Sequence, residues 1–430
     1  MVGEAEMEEP VKRFELHYGV VLMVRTKRFL SVMDRMGRSG ISKPIGWGLL
    51  YLMPVAAAMA LLLFINVFRA LVSSSGHQVA SGIVSLGPLA NLGIPGLNPY
   101  IPVFYGWIAL VVGMVVHEGA HGVVARSLGL PVKNSGLILF LFVIPIGAFV
   151  DIDEGVLKQA RRSHSARVFA AGAGTNLVLA ILCLLLLTSV VGSMTPAVSG
   201  AGITGVSQGT PAYQRGVLPG DVVTAVNGKP VTDLTAVLGP DTTLKAGQSV
   251  NFTIYRNGQV LQIDNITLVC CEETVDSVTN QTIAAWPYIG VNSISEASLK
   301  SAVSAYSNVF NNPLVYIGCI PTLNLGNCQQ AVPFASTNSL FYASPLGGAL
   351  VPLSNVLYWM FFLNFNLAIF NALPIYPLDG GQAFRVGVEE LGKGRLTEEG
   401  VNRITTAVTA GVLLFLLGII LSPYIYVLVS

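Results

Sequence analysis

The stretch Tyr100–His121 reads YIPVFYGWIALVVGMVVHEGAH, and its last five residues, His117-Glu118-Gly119-Ala120-His121, decide how the rest of the chain is read. A nearly unbroken apolar run leads straight into two histidines and a glutamate. On a helix, positions four apart share a face, so His117 and His121 present two imidazoles to one cation. Glu118 lies about 100° round from His117, one step of a helix with roughly 3.6 residues per turn, and still reaches a water activated by that cation. Ionisable groups at membrane depth cost about 2.5–3.5 kcal/mol each on insertion scales and need a compensating partner. A divalent metal ion is the obvious one.

The composition supports a membrane setting. Of 430 residues, 52% are hydrophobic and only 11% charged, where soluble domains carry about 25% charged residues. The net charge of +1 gives no reason to expect a nucleic-acid partner. The polar, mixed-charge start predicts no cleavable signal peptide. Five apolar segments, approximately 45–71, 101–126, 166–192, 349–373 and 404–429, are each long enough to cross about 30 Å of hydrocarbon. Arg25, Lys27, Arg28, Arg35, Arg38 and Lys43 precede the first, whereas residues 72–99 contain no Lys or Arg. Arg126, Lys133, Lys158, Arg161, Arg162 and Arg167 lie between the second and third or at their edges, and Arg385, Lys393, Arg395 and Arg403 between the fourth and fifth. The positive-inside rule then places the N-terminus in the cytoplasm of a multi-pass cell-membrane protein and the C-terminus outside. HEGAH falls toward the cytoplasmic end of its helix, and residues 193–348 lie outside.

Between the second and third spans, Ser135–Asp151 (SGLILFLFVIPIGAFVD) is short, rich in β-branched and aromatic residues, and broken by Pro145 and Gly147. It reads as a re-entrant strand or hairpin, with a short interfacial helix as the competing reading. Of the five cysteines, Cys319 and Cys328 could pair in an oxidising compartment or remain free thiols.

Zinc takes a third protein ligand and keeps one position open. His17, His77 and His164 are poorly placed for that role. Asp379 is better placed, in Asn371-Ala372-Leu373-Pro374-Ile375-Tyr376-Pro377-Leu378-Asp379-Gly380-Gly381, directly after the fourth span. Pro374 and Pro377 prevent a regular helix, and Gly380-Gly381 permits a sharp turn that would aim the carboxylate back into the bundle. The alternative is that Asp379 only caps a helix starting near Gly381. Topology puts Asp379 at the same cytoplasmic side as HEGAH.

Two resemblances follow from these residues. Gly209–Val231, GTPAYQRGVLPGDVVTAVNGKPV, closely resembles the PDZ domains of membrane-associated proteases, with Asn227-Gly228 and, further on, Asn257-Gly258 as hairpin turns. Such domains bind an extended peptide or C-terminus at a sheet edge, with the binding loop expected near Ala201–Val206. HEGAH in a membrane helix, NALPIYPLDGG after a later one and the PDZ-like segment between them together resemble the site-2 protease family of intramembrane zinc metalloproteases. The proline spacing departs from the family pattern, with Tyr376 where the second proline is expected and Pro377 one residue later. Gly172-Ala173-Gly174-Thr175-Asn176 is similar to a further family element, without its proline.

The resemblance implies one Zn2+ per chain held by His117, His121 and Asp379, with Glu118 as general base. It also implies cleavage of transmembrane segments of single-pass membrane proteins in regulated intramembrane proteolysis. Asn176 and Asn371 become candidate donors to substrate backbone or oxyanion. Helix–helix hydrogen bonding is an equal reading for Asn176, and satisfaction of the broken helix one for Asn371.

The expected fold is a polytopic α-helical membrane protein with about five transmembrane helices and a re-entrant β element, plus an external PDZ-like β-rich domain. The expected division is a cytoplasmic segment 1–44, membrane part 45–192, PDZ-like domain 200–295, an external connector 296–346 without a functional reading, and membrane part 347–430. Two other functions compete. A zinc transporter or sensor would need a polar path across the membrane that the spans do not offer. A catalytically silent PDZ-bearing scaffold would have no use for Glu118.

Overall fold

A computed structural model describes residues 13–73, 76–239, 242–269, 274–275, 282–283, 287–309, 315–318, 321–322 and 332–429. In chain order its main elements are β1 (Phe14–His17), β2 (Val21–Thr26), α1 (Leu30–Gly37), α2 (Ser42–Leu71), α3 (Gly76–Ser85), α4 (Val103–Ser127), β3 (Val132–Phe140), β4 (Ile144–Ile152), α5 (Glu154–Gln159) and α6 (Arg162–Gly192). There follow β5 (Ala201–Val206), β6 (Val222–Val226), β7 (Ser249–Arg256), β8 (Gln259–Thr267), β9 (Val291–Ile294), α7 (Glu296–Ser307), α8 (Leu350–Asn371), α9 (Asp379–Leu391) and α10 (Glu398–Val429). The chain divides into two compact bodies, residues 1–183 with 359–430, and residues 184–358.

Five helices are long and apolar enough to cross a membrane: Ser42–Leu71, Val103–Ser127, Arg162–Gly192, Gly347–Asn371 and Glu398–Val429. They coincide with the five expected spans. The last begins before the expected start at 404, because Glu398, Glu399 and Arg403 continue the helix beyond its apolar stretch and Arg403 pairs with Glu399.

In the first body, α4 starts after Pro102 and stops at a glycine. Gly129 adopts φ +78°, while the N–H groups of Gly129 and Leu130 donate to Arg126 O and Ala125 O at 3.1 and 3.0 Å. This pair of bonds satisfies the last carbonyls and turns the chain abruptly. Strand β3 can therefore begin at Val132. It forms a hairpin with β4, in agreement with the expected strand reading of Ser135–Asp151. The tip carries Leu141 and Phe142 with positive φ, and Leu141, Phe142 and Val143 are all exposed.

The N-terminal segment, left without a role in the sequence, supplies the other half of that sheet. The strand order is β1-β2-β3-β4, all antiparallel, with Val24 opposite Leu137 and Gly136 opposite Phe149. Helix α1 packs on α4, where Met33 Sδ presses on Gly122 and Arg126 pairs with Asp34 at 3.1 Å. Leu49, Val124, Ala125, Val168 and Ala171 join α2, α4 and α6 in one apolar cluster.

The second body is built on a sheet of order β8-β7-β6-β5-β9, with Lys229–Pro230 added beside β6. Asn227-Gly228 and Asn257-Gly258 have positive φ at both residues, as a two-residue hairpin turn matching strand twist requires. Val223, Phe252, Ile254 and Ile266 form its core. Asp221 is buried and pairs with Arg256 through two contacts of 2.6 and 2.7 Å. Strand β5, the segment expected near a peptide-binding loop, is flanked by β6 and β9, so among the described residues the edges of this sheet are β8 and β9. The two-residue strands Thr195–Pro196 and Tyr342–Ala343 pair antiparallel in this body, beside a 3.1 Å contact between the Ser193 and Ser344 hydroxyls. Cys270, Cys271, Cys319 and Cys328 lie outside the described residues.

Candidate metal centre

Helix α4 places His117 and His121 one turn apart on a buried face, with ring centroids 5.0 Å apart. Helix α6 packs against that face through Gly172. A Cβ added there would lie 2.5 Å from His121 Nε2 and would also collide with His117 Nε2. The absence of a side chain therefore leaves a space that both Nε2 atoms border.

Asp379 reaches the same space from α9. After α8 ends at Asn371, the chain passes through Pro374 and Pro377, the latter following a cis peptide bond, and α9 begins at Asp379 itself rather than near Gly381. The Asp379 Oδ2 atom lies 3.1 Å from His117 Nε2 and 3.3 Å from His121 Nε2. Gly380 and Gly381 serve this approach differently from the expected sharp turn. Both are helical, and a Cβ on Gly380 would strike the Ala372 and Leu373 carbonyls while one on Gly381 would strike Tyr376 N. They let α9 start directly against the broken segment. The Tyr376 N–H, which that segment leaves without a helical acceptor, donates to Thr409 Oγ1 on α10 at 3.1 Å. Asn371 is partly buried at the end of α8, and its side chain makes no hydrogen bond among the described residues.

The imidazoles are oriented from behind. His121 Nδ1 is 2.7 Å from Val168 O, and a carbonyl only accepts, so Nδ1 carries the proton. In the neutral ring, Nε2 then turns a lone pair toward the Asp379 carboxylate. Two lone pairs facing each other repel unless a cation or proton lies between them. Asn176, fully buried, has its amide Nδ2 3.2 Å from His117 Nδ1, while its Oδ1 has no partner. Turned about its last bond, the amide would accept from the His117 Nδ1–H and free Nε2 in the same way. Sequence alone linked Asn176 to helix contact or substrate; a direct contact with a motif histidine was not readable from it.

These observations test whether a metal fits. Oδ2 of Asp379 is buried and lacks a hydrogen-bond partner. The donor separations of 3.1 and 3.3 Å match the edge of a tetrahedron with metal–ligand bonds of about 2.0–2.1 Å, the zinc value. His117, Glu118 and His121 are also close enough for their donor atoms to serve one ion. Burial pushes the Asp379 carboxyl up, but the two imidazoles outweigh it and hold the group below the usual carboxylate range. The residues present fit zinc.

Glu118 stands to one side of this cluster and lines a cavity of about 830 Å³. Its walls are almost wholly apolar, including Phe29 and Met36 from the N-terminal segment and Phe149 and Val150 from β4. The backbone amide of Val150 faces the Glu118 carboxylate. Strand β4 is an edge strand, hydrogen-bonded only to β3 in the sheet.

An uncharacterised protein of Methanocaldococcus jannaschii is 25% identical over 366 residues, covering 84% of this chain and 76% of the relative. Zinc metalloprotease Rip1 of Mycobacterium tuberculosis is 27% identical over 342 residues, covering 64% of this chain and 82% of its own. Zinc metalloprotease RasP of Shouchella clausii is 30% identical over 190 residues, 42% of this chain and 41% of RasP. The model of peptidase family M50 matches residues 105–416, a span that holds HEGAH, Asn176 and Asp379, and the chain belongs to that family of membrane metalloproteases, the site-2 proteases.

Proposed function

We propose that this protein is a zinc-dependent intramembrane endopeptidase that cleaves transmembrane segments of single-pass membrane proteins, in the manner of regulated intramembrane proteolysis. The observation that carries this reading is the convergence of His117, His121 and Asp379 on one point beside Glu118 at the wall of an apolar cavity. One Zn2+ per chain would be held by the two Nε2 atoms and Asp379. The chemistry it supplies when bound is polarisation of the scissile carbonyl and a water pKa lowered to about 7. Glu118 takes the proton from the attacking water and returns it to the leaving amine. Val168 and Asn176 keep the imidazoles in the orientation that binding requires.

A helical substrate shields its carbonyls in its own hydrogen bonds, so the scissile segment must be extended. The free edge of β4 runs along the cavity past Glu118 and offers backbone groups to such a strand. Its apolar walls suit the side chains of a membrane segment. The Val150 N–H faces Glu118, and amides alternate sides along an antiparallel strand, so Ala148→Pro removes a free-edge amide while leaving the bonds of Gly147 and Phe149 to β3 in place. Cleavage should fall about tenfold, the scale of one hydrogen bond, with zinc content unchanged. Wild-type cleavage by this variant would rule out pairing along β4.

The sheet of the second body acts as a PDZ-like module that binds a peptide or C-terminus at a free edge and selects substrates before catalysis. The charge flanks support a cytoplasmic N-terminus, with this module and the C-terminus on the other side.

The test is proteolysis of a model single-pass protein by the purified full chain in detergent or vesicles. Chelation should abolish cleavage, and stoichiometric Zn2+ should restore it. Cleavage that survives complete metal removal would overturn the assignment.

A further inference from the structure

Away from the metal centre, the starts of α2 and α6 bring basic groups together, with no acid paired to Lys43, Arg161 or Arg167 among the described residues. Lys43 and Arg161 are exposed, His164 is partly buried, and the four groups Lys43, Arg161, His164 and Arg167 share one electrostatic neighbourhood. The neighbouring Arg162 is engaged elsewhere, pairing with Glu389 at 2.8 Å. Among the described residues, Lys43, Arg161 and Arg167 have no carboxylate partner.

Arg167 is the unusual member, because it is only 6% exposed. Its stem packs against Gly46, where an added Cβ would lie 3.7 Å from Cδ, and its guanidinium lies 4.7 Å from the centroid of the Trp47 ring. The Nε–H donates to Ser163 O at 3.0 Å, and no other hydrogen bond is made by this side chain among the described residues. Arginine carries five N–H donors in a planar fork suited to phosphate. A guanidinium at a membrane boundary, with its stem packed, its terminal nitrogens unbonded among the described residues and two further cations beside it, is placed to receive an anion.

The surroundings say where that anion comes from. Trp47 and Tyr51 stack at 6.2 Å between centroids and are exposed, as are side chains in the aromatic belt at a membrane interface. The exposed face of α2 continues through Val55 and Leu62. A phosphate among the cations therefore has an apolar surface leading away from it along a membrane-crossing helix. That is the shape of a phospholipid, with headgroup at one end and chains at the other.

We propose that Lys43, Arg161, His164 and Arg167, with Trp47, form a binding site for the phosphate of an anionic membrane lipid whose chains lie along α2. The site adjoins the metal centre through the chain itself, since Arg167 is followed by Val168, whose carbonyl holds His121.

Native mass spectrometry of the full chain in detergent tests this, with phosphatidylglycerol and phosphatidylcholine offered in equal amounts. One phosphatidylglycerol should be retained in preference. Lys43→Gln and Arg161→Gln, both at exposed positions, should each lower its retention about fivefold, the usual effect of one cation near an anionic surface. Arg167→Lys, which keeps the charge and removes the fork, should lower it as well. Equal retention of the two lipids by the wild type, or unchanged retention in the two glutamine variants, overturns the site. Displacement of the lipid by millimolar inorganic phosphate would show a free-phosphate site and overturn the lipid assignment.

Discussion

Glu118→Gln should leave zinc content at the wild-type value and lower cleavage of a transmembrane substrate by about 10²–10⁴-fold, the range for losing a general base. The substitution keeps the size and hydrogen-bonding reach of the side chain but cannot accept a proton at neutral pH. Zinc should stay because the three atoms that converge belong to His117, His121 and Asp379, with Glu118 outside that point of closest approach. Zinc by atomic emission and single-turnover cleavage on the same preparation separate the two effects. Wild-type turnover with zinc retained would remove Glu118 from the mechanism. Loss of both zinc and cleavage would make it a ligand instead. A transporter or silent scaffold built on the same residues predicts no cleavage in either protein.

Gly172→Ala should have an effect of similar size by another route. Alanine is favoured over glycine inside a helix by about 1 kcal/mol, so α6 itself gains. Yet the new methyl group would occupy the space bordered by both Nε2 atoms, 2.5 Å from that of His121. Zinc content should fall to a small fraction of one per chain and cleavage should fall with it, while secondary structure and resistance to detergent-induced unfolding are kept. Full zinc occupancy in this variant would mean that the metal does not sit where His117, His121 and Asp379 meet. Gly174, two residues on, faces Leu49 instead, so Gly174→Ala disturbs helix packing without reaching the imidazoles and serves as the control.

The parts of this site legible in sequence were those fixed by short-range rules. The spacing of His117 and His121 follows from helix geometry, and the five spans follow from hydrophobic length. Pro374 and Pro377 mark the break that brings Asp379 back to the histidines. What escaped depends on contacts between distant segments. Strand β1 pairs only with its neighbour β2, both are brief, and the pairing of β2 with β3 is non-local, so nothing in Phe14–Thr26 announces that it joins the β3–β4 sheet. Gly172 and Asn176 were visible as a pattern, but a contact between α6 and the rings of α4 needs the crossing of two helices. Gly380 and Gly381 were expected to bend the chain. Their backbone is ordinary, and what they supply is room for the carbonyls of Ala372 and Leu373.

The short ladder between Thr195–Pro196 and Tyr342–Ala343 gives the second body a property beyond its own fold. The strand entering from α6 and the strand leading toward α8 are zipped side by side, so everything between them is a closed loop hung on one stem. A different module on the same stem would therefore be expected to leave the strand toward α8 paired as it is. The residues proposed to surround the metal lie before and after this loop, at His117, His121 and Gly172 on one side and Asp379 on the other. Under the proposed function, in which the second body selects substrates, a change of loop would alter selection and leave the groups proposed for the chemistry outside it.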